Sequence, residues 1–150
     1  KAFVASHPNV RFRFFTFPLD GECNPVLKRG DGVSCRLAKA VYCAGEISDT
    51  VGWRLHDMIF KQQSEFQSIR LVDEVDKKLR TLLKETSVQW SDLQSCLEKP
   101  ETQKAIAKQA QAGENAGVKG TPAIYMNGRK LPRGQLLPVL KAAHKEAVGK

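Results

Sequence analysis

Between Ser34 and Gly113 apolar residues recur at helical spacing in five successive segments, and strand patterns stand on either side of that block. Ser34 is expected to cap the first helix, which runs to about Cys43 with Cys35, Ala38, Val41 and Tyr42 on one face. Asp49-Thr50 opens a second, with Val51, Leu55, Met58 and Ile59 inward. A third spans about Ser68 to Leu83 through Ile69, Val72, Val75, Leu79 and Leu82. Ser91 caps a short fourth carrying Leu93, Cys96 and Leu97, and Pro100 starts a fifth that stops at Gly113. The block therefore reads as a helical insertion, about residues 35–113, within an α/β domain.

The flanks supply the strands. Val10 to Phe17 alternates apolar and basic residues, turns mostly apolar, and is stopped by Pro18. Lys1 to Ser6 has the character of a last helical turn, with Pro8-Asn9 leading into the strand. Leu19 to Ser34 carries Gly21, Pro25, Gly30 and Gly32 and is expected as a loop. Beyond the block, Gly117-Val118-Lys119-Gly120-Thr121-Pro122-Ala123 runs into a strand at Ala123 to Met126. Asn127-Gly128 makes a hairpin turn into a return strand at Arg129 to Leu131. A last helix covers about Arg133 to Val148, with Pro138 in or near its first turn. Pro122 cannot donate to a neighbouring strand, so the loop presents the backbone groups of Thr121 to something outside the domain.

A length of 150 residues, 41% hydrophobic and 27% charged, fits one soluble domain, residues 1–150, with a real core. No stretch approaches a membrane span. The chain begins at Lys1, which reads as a processed product, an excised domain or a fragment. The net charge of +8 favours anionic partners. The cations are scattered without an aromatic stacking platform, so nucleic acid is not the expected partner. The cysteines, Cys23, Cys35, Cys43 and Cys96, form neither a C-x-x-C nor a zinc spacing. Two disulfides in an oxidising compartment or four buried thiols in a reducing one both fit, and two disulfides leave three connectivities open. Trp53 and Trp90 are expected at the core or its rim, and His56 beside Asp57 as a surface or packing histidine. No Ser/His/Asp set, phosphate-cradling loop or metal cluster stands out, and no cofactor is expected.

The loop ending in Thr121-Pro122 resembles the cis-proline loop of the thioredoxin superfamily, and the order of elements resembles its DsbA-like disulfide oxidoreductases. Phe17-Pro18-Leu19-Asp20, the stretch Ala38 to Ala44, Trp53 with His56-Asp57 and Phe60, and Cys96-Leu97 look like that family too. The resemblance covers Val10 to Val148. It implies a thioredoxin-like α/β fold with a helical insertion, incomplete at the N-terminus, since the family's first strand and its C-x-x-C helix are not present. Without that strand, Val10 to Phe17 and Ala123 to Met126 would each lack a neighbour. An upstream segment, direct pairing of the two or another chain could fill the gap, and an upstream segment is favoured.

The function implied is that of the C-terminal part of an extracytoplasmic thiol–disulfide oxidoreductase, in a bacterial periplasm or cell envelope, exchanging disulfides with cysteine-containing proteins. Thr121 and Pro122 would hold the substrate, and the reactive pair would lie outside the chain. Asp20-Gly21-Glu22-Cys23-Asn24-Pro25 is similar to members linked to membrane redox partners of the vitamin K epoxide reductase type. The alternative is a redox-inactive thioredoxin-fold module that binds peptides or a partner. Cys35 sits near a helix start that would favour a thiolate, but no resolving cysteine is near it in sequence, so it is expected to be structural. The expected bridges are Cys43 with Cys96, stapling the helical insertion as in many members of the resembled family, and Cys23 with Cys35, closing the glycine-rich loop.

Overall fold

In the computed structural model, which describes residues 2–149, the elements run α1 (Ala2–Ala5), α2 (Val33–Ile47), α3 (Asp49–Lys61), α4 (Gln63–Ser68), α5 (Val72–Leu83), α6 (Trp90–Leu97), α7 (Pro100–Asn115), β1 (Tyr125–Met126), β2 (Arg129–Lys130) and α8 (Leu137–Val148). Their contacts gather into two compact units, Phe15–Glu114 and the pair of segments Lys1–Phe14 and Asn115–Lys150. The helical unit thus takes in the glycine-rich loop ahead of the expected insertion.

In the helical unit, the apolar stripes of α2, α3, α5 and α6 converge. Ala40, Cys43 and Ala44 meet Val51, Leu55 and Ile59, with Val75, Leu79, Leu93 and Leu97 closing the core. α2 and α3 approach so closely that a Cβ on Gly52 would lie 2.7 Å from the Gly45 Cα. Each fully buried leucine contributes roughly 2–3 kcal/mol. Across the rim, Arg36 Nε and Nη2 each donate to a carboxylate oxygen of Asp76 at 2.7 Å, tying α2 to α5.

Several helix ends fall away from their expected places, for local reasons. Ser34 is not the cap: α2 starts at Val33, because Gly32 takes a left-handed φ of 80° and the Asp31 carboxylate accepts the Val33 N–H at 3.0 Å. The expected third helix divides into α4 and α5. Arg70 Nη1 donates to the carbonyls of Gln67 (2.6 Å) and Ile69 (2.9 Å), satisfying the end of α4. Asp73 and Glu74 then favour a fresh N-terminus for α5. Ser91 lies inside α6, whose cap position is Gln89, and Gly113 lies inside α7.

The largest correction concerns Val10 to Phe17, which forms no strand. A strand exists only as a member of a ladder, and the sheet among the described residues has two strands, β1 and β2. The segment is anchored instead by a side chain of α7: the Thr16 N–H and Oγ1 both donate to Gln109 Oε1 at 2.8 Å. Phe12, Phe14 and Phe15 remain exposed. Of the expected helical tail at Lys1 to Ser6, Lys1 lies outside the described residues and Ala2–Ala5 is helical.

In the second unit, α1 lies on α8. Phe3 stacks on His7 with ring centroids 4.2 Å apart, and His144 meets His7 edge-on at 4.5 Å. β1 and β2 are antiparallel, Tyr125 opposite Lys130 and Met126 opposite Arg129. Asn127 (φ 48°) and Gly128 (φ 80°) turn the hairpin with the left-handed pair that its twist favours. The last helix begins at Leu137 rather than near Arg133, whose φ of 56° is incompatible with a helix.

Candidate functional site

The loop ahead of β1 is built from the hairpin outward. Its base is closed twice: Tyr125 OH donates to the Ala116 carbonyl at 2.7 Å, and Lys130 Nζ to the Gly117 carbonyl at 3.0 Å. Gly117 takes a left-handed φ of 77°, and the Thr121–Pro122 peptide bond is cis. Past the loop, Ile124 is seated by the Leu131 N–H on its carbonyl (2.8 Å) and by Gly134, where a Cβ would come within 2.6 Å of the Ile124 Cβ. Thr121 and Pro122 are exposed and lie outside any ladder. An exposed backbone step held on a rigid base can pair with an extended chain without first having to be ordered.

The cysteines offer no such reactive group. Cys43 is joined to Cys96 and Cys23 to Cys35, with Cα separations of 5.8 and 5.7 Å, and no free cysteine remains among the described residues. Cys43 is fully buried, and Cys23 and Cys35 nearly so. The first bridge ties α2 to α6, beside Thr102 of α7, whose hydroxyl donates to the Cys96 carbonyl at 2.6 Å. With the four cysteines bonded in two pairs, no thiolate among the described residues stands ready to attack a substrate disulfide.

The second bridge sits on a loop organised by Asp20. That buried carboxylate accepts the Glu22 N–H (3.1 Å) and, from far along the chain, the Cys35 N–H in the first turn of α2 (3.1 Å). Asn24 is equally buried, donating to the Pro18 carbonyl at 2.8 Å and accepting from Val26 N–H. An acid in a glycine-rich loop before a helix was the available signal for this role, yet the remote cap itself has no signature in sequence.

A cavity of about 280 Å³ opens beside this loop, lined by Glu22, Asp31, Cys35, Arg36, Lys39 and Gln103 among others. Burial, reinforced by Arg36, holds the Lys39 ammonium below the ordinary lysine range, opposed by Glu22 and Asp20. Two cations, Arg36 and Lys39, and two carboxylates, Glu22 and Asp31, line it, and Arg36 is already paired with Asp76.

The remaining candidates are packing groups. His56 Nδ1 is 3.2 Å from Asp57 Oδ1, and its ring lies between Trp53 and Phe60, at 5.4 and 4.6 Å. Trp90 is half-buried, donating from Nε1 to Gln94 and covered by the Arg80 guanidinium at 4.3 Å. No cluster of three metal-ligating side chains and no membrane-spanning helix occurs among the described residues.

Compared with known proteins, residues 4–142 match the family model described as thioredoxin. No curated protein and no solved structure matches the chain.

Proposed function

The chain belongs to the thioredoxin family, and from that premise we propose that it is the peptide-holding portion of an extracytoplasmic, DsbA-type thiol–disulfide oxidoreductase. The observation that carries this reading is the exposed Thr121-Pro122 step on its closed base. A cysteine-containing protein would add an extended segment there, using main-chain hydrogen bonds for affinity. Two disulfides support an oxidising compartment, a periplasm or cell envelope. Disulfide exchange needs an accessible, closely spaced cysteine pair, whereas the sequence has no C-x-x-C and Cys23, Cys35 and Cys43 are buried in their bridges, so in this reading the reacting pair is supplied from outside these 150 residues. Re-oxidation by a membrane partner of the vitamin K epoxide reductase type rests on the resemblance alone. Asp20 and Asn24 of the suggestive loop spend their hydrogen bonds inward.

Amide shifts in an NMR titration with an extended, cysteine-containing peptide test the reading. Shifts centred on Val118 to Ala123 are expected, and N-methylation of the peptide residue paired with Thr121 should weaken binding about tenfold, the worth of one interfacial hydrogen bond. Shifts confined to other regions, or no binding, would overturn it.

A second reading is favoured by the burial of Cys23, Cys35 and Cys43 in the two bridges, which keeps an attacking thiolate from their sulfurs: the chain is a redox-inactive module that docks peptides. Both readings expect the isolated chain to oxidise reduced ribonuclease no faster than the buffer does. Rapid oxidation would make one of the present disulfides catalytic and sink both.

A further inference from the structure

The asparagines of the sequence, Asn9, Asn24, Asn115 and Asn127, are held in very different ways. Asn24 is fully buried, donates to the Pro18 carbonyl, and precedes Pro25, which has no N–H. Asn9 Oδ1 is 3.3 Å from His144 Nε2, and the N–H of the following Val10 is bound to the His7 carbonyl at 2.9 Å. Asn115 ends α7 and is followed by Ala116, whose methyl group crowds the intervening peptide. Asn127 shares none of these restraints. It is exposed at the tip of the β1–β2 hairpin, and neither its carboxamide nor the Gly128 N–H hydrogen-bonds to another group among the described residues. Nothing lies within 4 Å of where a Cβ on Gly128 would stand, so the amide nitrogen after Asn127 is unshielded. The ladder behind the turn is short, so opening its tip breaks few hydrogen bonds.

We propose that Asn127-Gly128 is a self-modifying site that ages into an isoaspartyl linkage and thereby releases the loop presenting Thr121-Pro122. The consequence for binding rests on the peptide-holding reading and adds a form of regulation to it. Asparagine is among the thermally labile side chains. Base takes the Gly128 amide proton, and the nitrogen attacks Asn127 Cγ. The N–Cγ bond forms, the Cγ–Nδ2 bond breaks, and the carboxamide nitrogen leaves as ammonia with a proton from water. Water then opens the cyclic imide. Attack at Cγ gives aspartate on the ordinary backbone, and attack at the main-chain carbonyl gives isoaspartate. Either route consumes only water and changes no oxidation state.

The two products act differently on the hairpin. Aspartate keeps the chain length and tolerates the left-handed φ of 48° that Asn127 holds. Isoaspartate routes the chain through Cβ and Cγ, which lengthens a turn whose left-handed pair matches the strand twist. The loop's base hangs on the ladder behind that turn. Tyr125 OH holds the Ala116 carbonyl and Lys130 Nζ holds the Gly117 carbonyl. Tyr125 and Lys130 are partners in the ladder, so a slip of register separates both ties at once.

The test incubates the full chain in neutral and in mildly alkaline buffer and follows it by peptide-mapping mass spectrometry, with electron-transfer fragmentation to tell isoaspartate from aspartate. Asn127 is expected to convert about tenfold faster than Asn9, Asn24 or Asn115, and faster in alkali. Asn127→Gly suits the same turn without a carboxamide and should neither convert nor lose the loop. The Leu131 N–H, bound to the Ile124 carbonyl, should exchange about tenfold faster in the isoaspartyl form and at its original rate in Asn127→Asp. An extended, cysteine-containing peptide should bind the isoaspartyl form about tenfold more weakly than the unmodified chain, and Asn127→Asp within about twofold of it. Conversion of Asn127 no faster than that of the other asparagines overturns the site. Rapid conversion with the Leu131 amide still protected overturns the release. Losses in Asn127→Asp equal to those of the isoaspartyl form would assign the effect to the new charge, against a backbone mechanism. Failure of the unmodified chain to bind peptide overturns the peptide-holding reading, and the mass and exchange measurements then decide this inference by themselves.

Discussion

Replacing Cys43 and Cys96 together by alanine is expected to destabilise the chain by about 4 kcal/mol and to lower its melting temperature by roughly 10 °C. The bridge joins residues 53 apart in sequence. Cutting it frees a long loop of the unfolded chain, and the entropy regained grows with the logarithm of loop length. The Cys23–Cys35 bridge closes a separation of only 12, which gives about 3 kcal/mol by the same reasoning. The ranking is the sharper test: each bridge has one buried end on α2, Cys35 or Cys43, while the loops they close differ several-fold in length. Urea unfolding of the two double variants measures it. If unfolded-chain entropy is the cause, the denaturant slope should also rise, since an uncrosslinked unfolded chain exposes more surface. A larger loss on removing Cys23–Cys35 would show that the glycine-rich loop depends on its bridge for native structure and not only for unfolded-state restriction.

That comparison bears on what the amino-acid sequence makes legible. The helices were readable because Val75, Leu79 and Leu82 repeat at a spacing that only a helix brings to one face. Their ends were not, because Asp31, Gly32 and Arg70 set them through side-chain and backbone hydrogen bonds that leave no periodic trace. The alternation in Val10 to Phe17 reports which side chains want cover, whereas a strand also needs a backbone neighbour. Gln109 supplies Thr16 with a partner that no pattern near Thr16 announces. At the candidate site, Gly117, Gly120 and Pro122 mark an exposed loop directly. The seating of Ile124 behind that loop leaves no such mark, since it depends on Gly134 fitting against the Ile124 side chain. Local chemistry was legible, and proximity created by packing was not.

Asp20→Ala is expected to cost about 3 kcal/mol, the second large effect, although Asp20 lies in a loop with no apolar side chain to lose. Its carboxylate accepts from Glu22 N–H and from Cys35 N–H, and the second of these is a buried donor at the positive end of α2. Removing a charged acceptor there leaves that donor unsatisfied, the costly case. Asp20→Asn keeps one acceptor oxygen and should lose about half as much. The same carboxylate explains Gly30, where a Cβ would stand 1.8 Å from Asp20 Oδ1 and 2.7 Å from the Gly21 nitrogen. Gly30→Ala must therefore displace Asp20 and is expected to destabilise by a similar amount. The two losses share one cause, so they should not add. In the Asp20→Ala background, Gly30→Ala should cost less than it does alone, with a remainder from the Gly21 backbone that cannot move aside so easily. Chemical denaturation of the four chains of this double-mutant cycle reads the coupling. Strict additivity would mean that Gly30 is required for the Gly21–Arg29 backbone approach (N–H to carbonyl 2.9 Å) and that Asp20 acts on α2 independently of it.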